Sequence, residues 1–289
     1  MINKEIEKYL EDKGYVSYSE LSTYLECQVK WYMQYVKNIR VSNIHFEFGS
    51  MAHEVLETRR LPNKHLTDFD KFEEAFGIKD WDLYFNTIFK ELDTLFEDYK
   101  VISREFEFNI NNIKGVVDLI LYNEEEDLYY IYDYKFSNSI KTTDDILLDQ
   151  QLYIYAVAVA KHFDVDIRKI KVGYISIPKK PINSPLILTS GKLSKAKSQS
   201  VTYDSYMAKL KELNLNVEDY EDFLIELKNK KIVDKIETFV NIDYLKRIMT
   251  NIEIIVNKDM KKGYILECWN SYHCKNCPLK EYCKINNKT

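Results

Sequence analysis

The sequence predicts an α/β (α+β) fold, a central mixed β-sheet flanked by helices. Three observations carry this. Between about residues 101 and 136 apolar side chains alternate with period two, the pattern of strands. Before and after that stretch they recur at helical spacing. A helix-length segment at 144–163 then separates these runs from a further strand at 169–177, an order that suits a mixed sheet.

The elements follow in chain order. Helices are expected over about 3–12, 19–38, 46–60, 68–76 and 80–99, the second carrying Leu21, Tyr24, Leu25, Trp31 and Tyr35. "VISREFEFNI" (101–110), "IKGVVDLILY" (113–122) and "LYYIYDYKF" (128–136) read as three consecutive antiparallel strands. "DDILLDQQLYIYAVAVAKHF" (144–163) is a helix and "KIKVGYISI" (169–177) a strand. Residues 178–200 hold Pro178, Pro181 and Pro185 among serines and lysines, the composition of an exposed loop. Charged helices fill about 203–229, a strand about 232–240 and a helix about 241–260. We expect one unit over 1–289: a helical part (1–100), the sheet and its helix (101–177), the loop, a second helical part (201–265) and a cysteine-rich tail (266–289).

With 45% hydrophobic and 14% aromatic residues the chain can fill a sizeable core. The N-terminus shows no charged-then-apolar leader and no apolar run approaches twenty residues, so a soluble, cytoplasmic protein without membrane contacts is expected. A net charge of −5 confines any nucleic-acid surface to local patches, with 179–197 and Lys261–Lys262 the lysine-rich candidates. There is no phosphate-binding loop and no glycine-rich dinucleotide turn.

A two-residue turn at Asn111–Asn112 would set residue 110 opposite 113 and Glu105 opposite Asp118. A four-residue loop at 124–127 would set 123 opposite 128 and Asp118 opposite Asp133. Glu105, Asp118 and Asp133 would then cross three strands roughly 5 Å apart, with Lys135 two residues along the same face. Carboxylates that close repel when buried, and a hard divalent cation such as Mg²⁺ or Mn²⁺ relieves the repulsion. A solvent-facing hairpin with acid–base pairs would carry the same charges. Gly49 and His53 sit four apart on one expected helix, able to bring an imidazole to a metal. Gln151 and Tyr155 share a face of another.

Of five cysteines, Cys268, Cys274, Cys277 and Cys283 crowd the tail, the last three as C-x₂-C-x₅-C. Three thiolates at that spacing suit a tetrahedral site, with Cys268 or the distant Cys27 as the fourth ligand and His273 as a further zinc candidate. Zinc and an iron–sulfur cluster both accept such a set.

In order, Cys27, Gly49-x₃-His53, Gly115-x-x-Asp118, Asp133-x-Lys135, Gln151-x₃-Tyr155 and the C-x₂-C-x₅-C tail resemble the RecB-like branch of the PD-(D/E)XK nucleases. The resemblance is greatest to its iron–sulfur members, the AddB nuclease domain and the CRISPR-associated RecB-like exonucleases. It spans residues 17–283 and implies a restriction-endonuclease-like core. His53, Asp118, Asp133 and the backbone carbonyl of Tyr134 would hold catalytic Mg²⁺ or Mn²⁺. Lys135 would be the catalytic lysine, with Gln151 and Tyr155 near the scissile strand and Glu105 in support. Cys27, Cys274, Cys277 and Cys283 would hold a [4Fe–4S] cluster joining the N- and C-terminal segments, leaving Cys268 spare. Such a tie closes a loop of about 250 residues, worth about 5 kcal/mol by chain entropy.

Three positions depart from the family pattern: Gln28 where proline often follows the first cysteine, Val116 where a basic or polar residue is usual, and Phe136 where Thr or Ser follows the lysine. None removes an implied ligand. The implied activity is metal-dependent DNA hydrolysis, by an exonuclease processing ends with single-strand preference in recombination, repair or phage replication, beside a helicase, recombination or replication protein. Competing readings are a CRISPR-adaptation trimming nuclease, a non-catalytic DNA-binding scaffold of the same fold, and a zinc-ribbon interaction protein.

Overall fold

The computed structural model describes residues 2–39, 41–61, 67–262, 274–275, 277–280 and 283. Cys268 and His273 lie outside them.

The chain opens with α1 (Ile2–Lys13), a two-residue strand β1 (Val16–Ser17), α2 (Tyr18–Glu26) and α3 (Gln28–Trp31), which runs on as a π turn to Val36. The single helix expected over 19–38 is therefore broken. Cys27 adopts an extended conformation there, and its sulfur accepts a hydrogen bond from Lys30 N at 3.4 Å. Helices α4 (Ile44–Thr58), α5 (Phe69–Phe76) and α6 (Trp81–Leu95) follow, each begun by an Asn or Asp side chain accepting from the first turn.

Strands β2 (Lys100–Ile110), β3 (Ile113–Asn123) and β4 (Leu128–Phe136) form the antiparallel group. Asn111 and Asn112 both have positive φ, the conformation a two-residue hairpin needs, and Ile110 pairs with Ile113 as expected. Next come α7 (Thr143–Leu148), α8 (Gln150–Phe163) and β5 (Ile170–Ile177), then α9 (Tyr203–Glu212), α10 (Glu221–Asn229), β6 (Asp234–Phe239) and α11 (Ile242–Ile254). Asp149 interrupts the expected 144–163 helix, because its extended backbone and its carboxylate cap α8 at Gln151 N, 2.7 Å away.

The six strands make one mixed sheet in the order β1-β3-β4-β5-β6, with β2 on β3. β5 is parallel to β4 and β6 antiparallel to β5. β2 occupies one edge of β3 from end to end, so β1 and β4 share the other. β4 pairs only with residues 119–123 of β3, and β1 pairs in parallel with 113–114. Between those pairings β3 and β4 part, and the sheet forks.

Each face of the sheet carries a core. One packs α1, α2, α8 and α11 against residues such as Ile120, Ile131 and Val172; the other packs α4, α5 and α6 against Leu119, Tyr132 and Ile175. α9 and α10 bury a third, smaller cluster with Leu193, which at 2% exposure fastens the 178–200 segment, as does Ile182 at 6%. No helix among the described residues is long and apolar enough to cross a membrane.

β6 lies so close on β5 that a methyl group at Gly173 would collide with the Ile236 carbonyl. Backbone cannot move aside as a side chain can. Gly173→Ala should destabilise by about 2–3 kcal/mol, lowering Tm by about 3–5 °C in a thermal melt.

Candidate active site

The fork is where the charged residues gather. Asp118 is the last residue of β3 before the fork, 7% exposed, and its Oδ2 accepts the Tyr134 N–H at 2.7 Å. A side-chain carboxylate thus replaces a ladder hydrogen bond at the point where the strands separate. In a β-strand one residue's N–H and C=O point to the same side, so the Tyr134 carbonyl faces the fork as well.

Glu105 stands opposite Asp118 in register, between the pairs Arg104–Leu119 and Phe106–Val117. Its φ of 50° is left-handed, inside a strand and on a residue with a Cβ. That strain has a geometric result. Phe106 and Val117 belong to the α8-side core, whereas Leu119 belongs to the α4-side core, so the alternation of faces reverses across the Glu105–Asp118 pair. Strained backbone of this kind persists where the surroundings over-determine it.

His53 comes from α4, flanking the buried stripe Phe48, Met51, Ala52, Val55 and Leu56. Its Nδ1 lies 3.5 Å from Asp118 Oδ2 and 4.0 Å from Glu105 Oε1. One ligand atom from each of His53, Glu105 and Asp118 lies within 4.8 Å of the other two. Glu105, expected only in a supporting part, lies in the same cluster as His53 and Asp118. A methyl at Gly49, by contrast, would meet nothing within 4 Å, so packing within the chain does not require that glycine.

Asp133 is 4% exposed, and Lys135 Nζ approaches its Oδ2 to 2.5 Å, yet off hydrogen-bond geometry, leaving that buried oxygen without a hydrogen bond. Asp133, ion-paired with Lys135 beside an imidazole and two further carboxylates, fits a divalent cation.

On the α8 side, Gln151 Nε2 donates to the buried Tyr155 hydroxyl. The Tyr155 ring stands edge-on to Phe108 at 5.8 Å between centroids, and Phe108 in turn lies over Gly115. A Cβ at Gly115 would come within 2.5 Å of the Phe108 ring, which accounts for the first residue of Gly115-x-x-Asp118. An open groove of about 680 Å³ runs past Gln151 and Tyr155 between α2 and Gly115.

Two residues the sequence reading missed belong here. Asp149 accepts from the Tyr174 hydroxyl, and its charge helps hold Lys135 protonated. Tyr18, beside the groove, feels the charges of Asp149 and Asp133. Neither has a spacing signature: one is the residue that splits a helix, the other follows a two-residue strand.

The electrostatics follow from burying like charges. Burial, then Asp118, pushes the Glu105 carboxyl up to about 7. Burial and Asp118 also raise Asp133, against the opposing pull of Lys135. For His53 and Lys135 burial works against the charged form, but the surrounding carboxylates outweigh it and raise both. Burial, then Asp133 and Asp118, keeps the Tyr155 phenol protonated.

The expected basic patch is largely engaged inside the chain: Lys195 bonds the Asp219 carbonyl, Lys197 pairs with Glu226, and Lys179 lies over Phe48. Of the four cysteines proposed for a cluster, Cys27, Cys274, Cys277 and Cys283, each is half-buried and none is in a disulfide. Cys277 and the buried Leu279 pack into the core that also holds Tyr24 and Trp31, on either side of Cys27 in sequence.

A family model described as "PD-(D/E)XK nuclease superfamily" matches residues 15–284. A crystal structure from Eubacterium rectale described as "Putative exonuclease" superposes with a TM-score of 0.50 at 14% identity, covering 95% of this chain and 90% of that one. A comparison with curated proteins finds no match.

Between the ordinary value of 4.5 and about 7, folded Glu105 holds a proton that the unfolded chain has released. Stability therefore falls as pH rises through that window, and the raised His53 and Asp133 act in the same direction. In chelator, Tm should decline from pH 5 to pH 7.5; added Mn²⁺ should flatten the decline, and Glu105→Gln should reduce it.

Proposed function

The chain belongs to the PD-(D/E)XK nuclease superfamily, and on that footing we propose that it hydrolyses DNA phosphodiesters at the fork of its sheet with a divalent cation. The observation that carries the reading is the convergence of His53, Glu105 and Asp118 within 4.8 Å, beside the buried Asp133–Lys135 pair. His53, Asp118, Asp133 and the Tyr134 carbonyl would hold the cation, with Glu105 as a further ligand. An imidazole among the donors suits Mn²⁺ better than Mg²⁺. Such an ion supplies Lewis-acid polarisation of the phosphate and makes water acidic enough to attack it.

The chain's own groups do the rest. Lys135, held protonated by Asp133 and Asp149, donates to the attacking water or to the charge developing on the phosphoryl oxygens. Tyr155 stays a neutral donor, oriented by Gln151, and faces the groove along which a strand would lie.

The finer reading is a RecB-like exonuclease that processes DNA ends with a preference for single strands, in recombination, repair or phage replication, in the cytoplasm and beside a helicase, recombination or replication protein. A CRISPR-adaptation trimming nuclease would use the same residues. Cys27, Cys274, Cys277 and Cys283 would hold a [4Fe–4S] cluster, or alternatively zinc, tying the tail to the break between α2 and α3. The shared packing of Cys277, Leu279, Tyr24 and Trp31 supports that tie.

End-labelled oligonucleotides with Mg²⁺ or Mn²⁺ test the activity. Asp118→Ala and Lys135→Ala should each lower cleavage at least about a hundredfold, and cleavage surviving in both would refute the site. Anaerobic purification should give the broad visible absorption of an iron–sulfur protein, and Cys277→Ser should lose that absorption and melt several degrees lower. An unchanged Tm would sink the structural role of the cluster.

A further inference from the structure

Beyond the C-terminal ends of β4 and β5 lies a second cavity, of about 220 Å³, that the catalytic reading does not use. It adjoins the fork through the sheet. Ser176, in its lining, is the direct partner of Lys135 across the β4–β5 ladder, and neighbouring strands lie about 4.8 Å apart. Ser137, also in the lining, follows Lys135 by two residues.

The lining has the chemistry of a phosphate site. Ser176 is 4% exposed and lines the cavity. Lys180, at the rim, has no ion-pair or hydrogen-bond partner among the described residues, unlike the engaged Lys179, Lys195 and Lys197 nearby. Lys230, whose ammonium donates to the Gln199 carbonyl at 3.2 Å, and Lys231 also line the cavity, and Asp234 is the single acid in the lining. Three lysines against one aspartate leave a surplus of two positive charges, which matches a phosphomonoester at pH 7 better than the single charge of an internal phosphodiester. Ile182 and Pro181 give the cavity an apolar wall against which a terminal sugar or base can rest.

The geometry points to a subsite for the phosphorylated end of a DNA strand, with Ser176, Lys180 and Lys231 as its donors and the fork next to it as the cutting site. This rests on the nuclease reading above and narrows its substrate to strands with a terminal phosphate. It also supplies a reason for the enzyme to start at ends, because only a terminus carries the dianion.

The test compares initial rates on one single-stranded sequence in four forms: 5′-phosphorylated, 3′-phosphorylated, hydroxyl at both ends, and circular. The wild-type chain should prefer one phosphorylated form over the hydroxyl form by about tenfold, the effect of one or two charge-assisted contacts. In Lys180→Ala/Lys231→Ala that ratio should collapse to about one, while Lys180→Arg/Lys231→Arg should keep it. The same ratios should appear in binding of labelled oligonucleotides in chelator, where no cleavage occurs. An unchanged ratio in the alanine variant overturns the assignment. So does a wild-type rate indifferent to end chemistry, or a variant that slows circular and linear DNA alike, which would make the ligand an internal diester. If the wild type cuts no form of DNA, the nuclease reading itself falls; cutting without end discrimination removes only the subsite.

Discussion

Asp118 and Asp133 put two carboxylates inside the protein, close enough that each raises the cost of charging its neighbours, and the local architecture answers that cost. The sheet forks there, which gives Asp118 a backbone N–H to accept where a ladder bond would otherwise run. Lys135 stands against Asp133, Asp149 stands behind Lys135, and His53 reaches across from α4 to Asp118. Even so, one oxygen of Asp133 has no hydrogen bond and Glu105 holds its proton to about 7. A divalent cation among His53, Glu105 and Asp118 would offset the repulsion that remains.

The β-hairpins were legible in the sequence because strong local signals agreed. Two asparagines able to take positive φ fixed the first turn, and the period-two alternation fixed which partners met. The first register so obtained sets Glu105 against Asp118; the second holds from Asn123–Leu128 to Leu119–Tyr132 and stops there, so the strands part before Asp118 and Asp133 could become the ladder partners expected of them. Other features left no such trace. Cys27 and Asp149 break helices whose apolar spacing continues straight through them, because each is decided by a single capping side chain. β1 is two residues long and exists only because β4 leaves that edge of β3 free. The left-handed turn at Glu105 is imposed by tertiary structure on a residue with no preference for it, and with it came the reversal of faces that sets Glu105 beside His53 and Asp118.

The two cores divide the labour. Helices α4 to α6 fasten one face and deliver His53; α8 fastens the other and delivers Gln151 and Tyr155. β4 touches both, with Tyr132 and Tyr134 in one core and Ile131 in the other. The candidate site is therefore assembled from both layers, and its geometry depends on how each packs on the sheet.

The ring of Phe108 over Gly115 ties two positions seven residues apart into one unit of inheritance. A lineage that replaced the glycine with any larger residue would have to swing the ring aside or shrink it, and either would withdraw the edge that braces Tyr155. The short signature Gly115-x-x-Asp118 is in that sense the footprint of an aromatic side chain lying on the neighbouring strand.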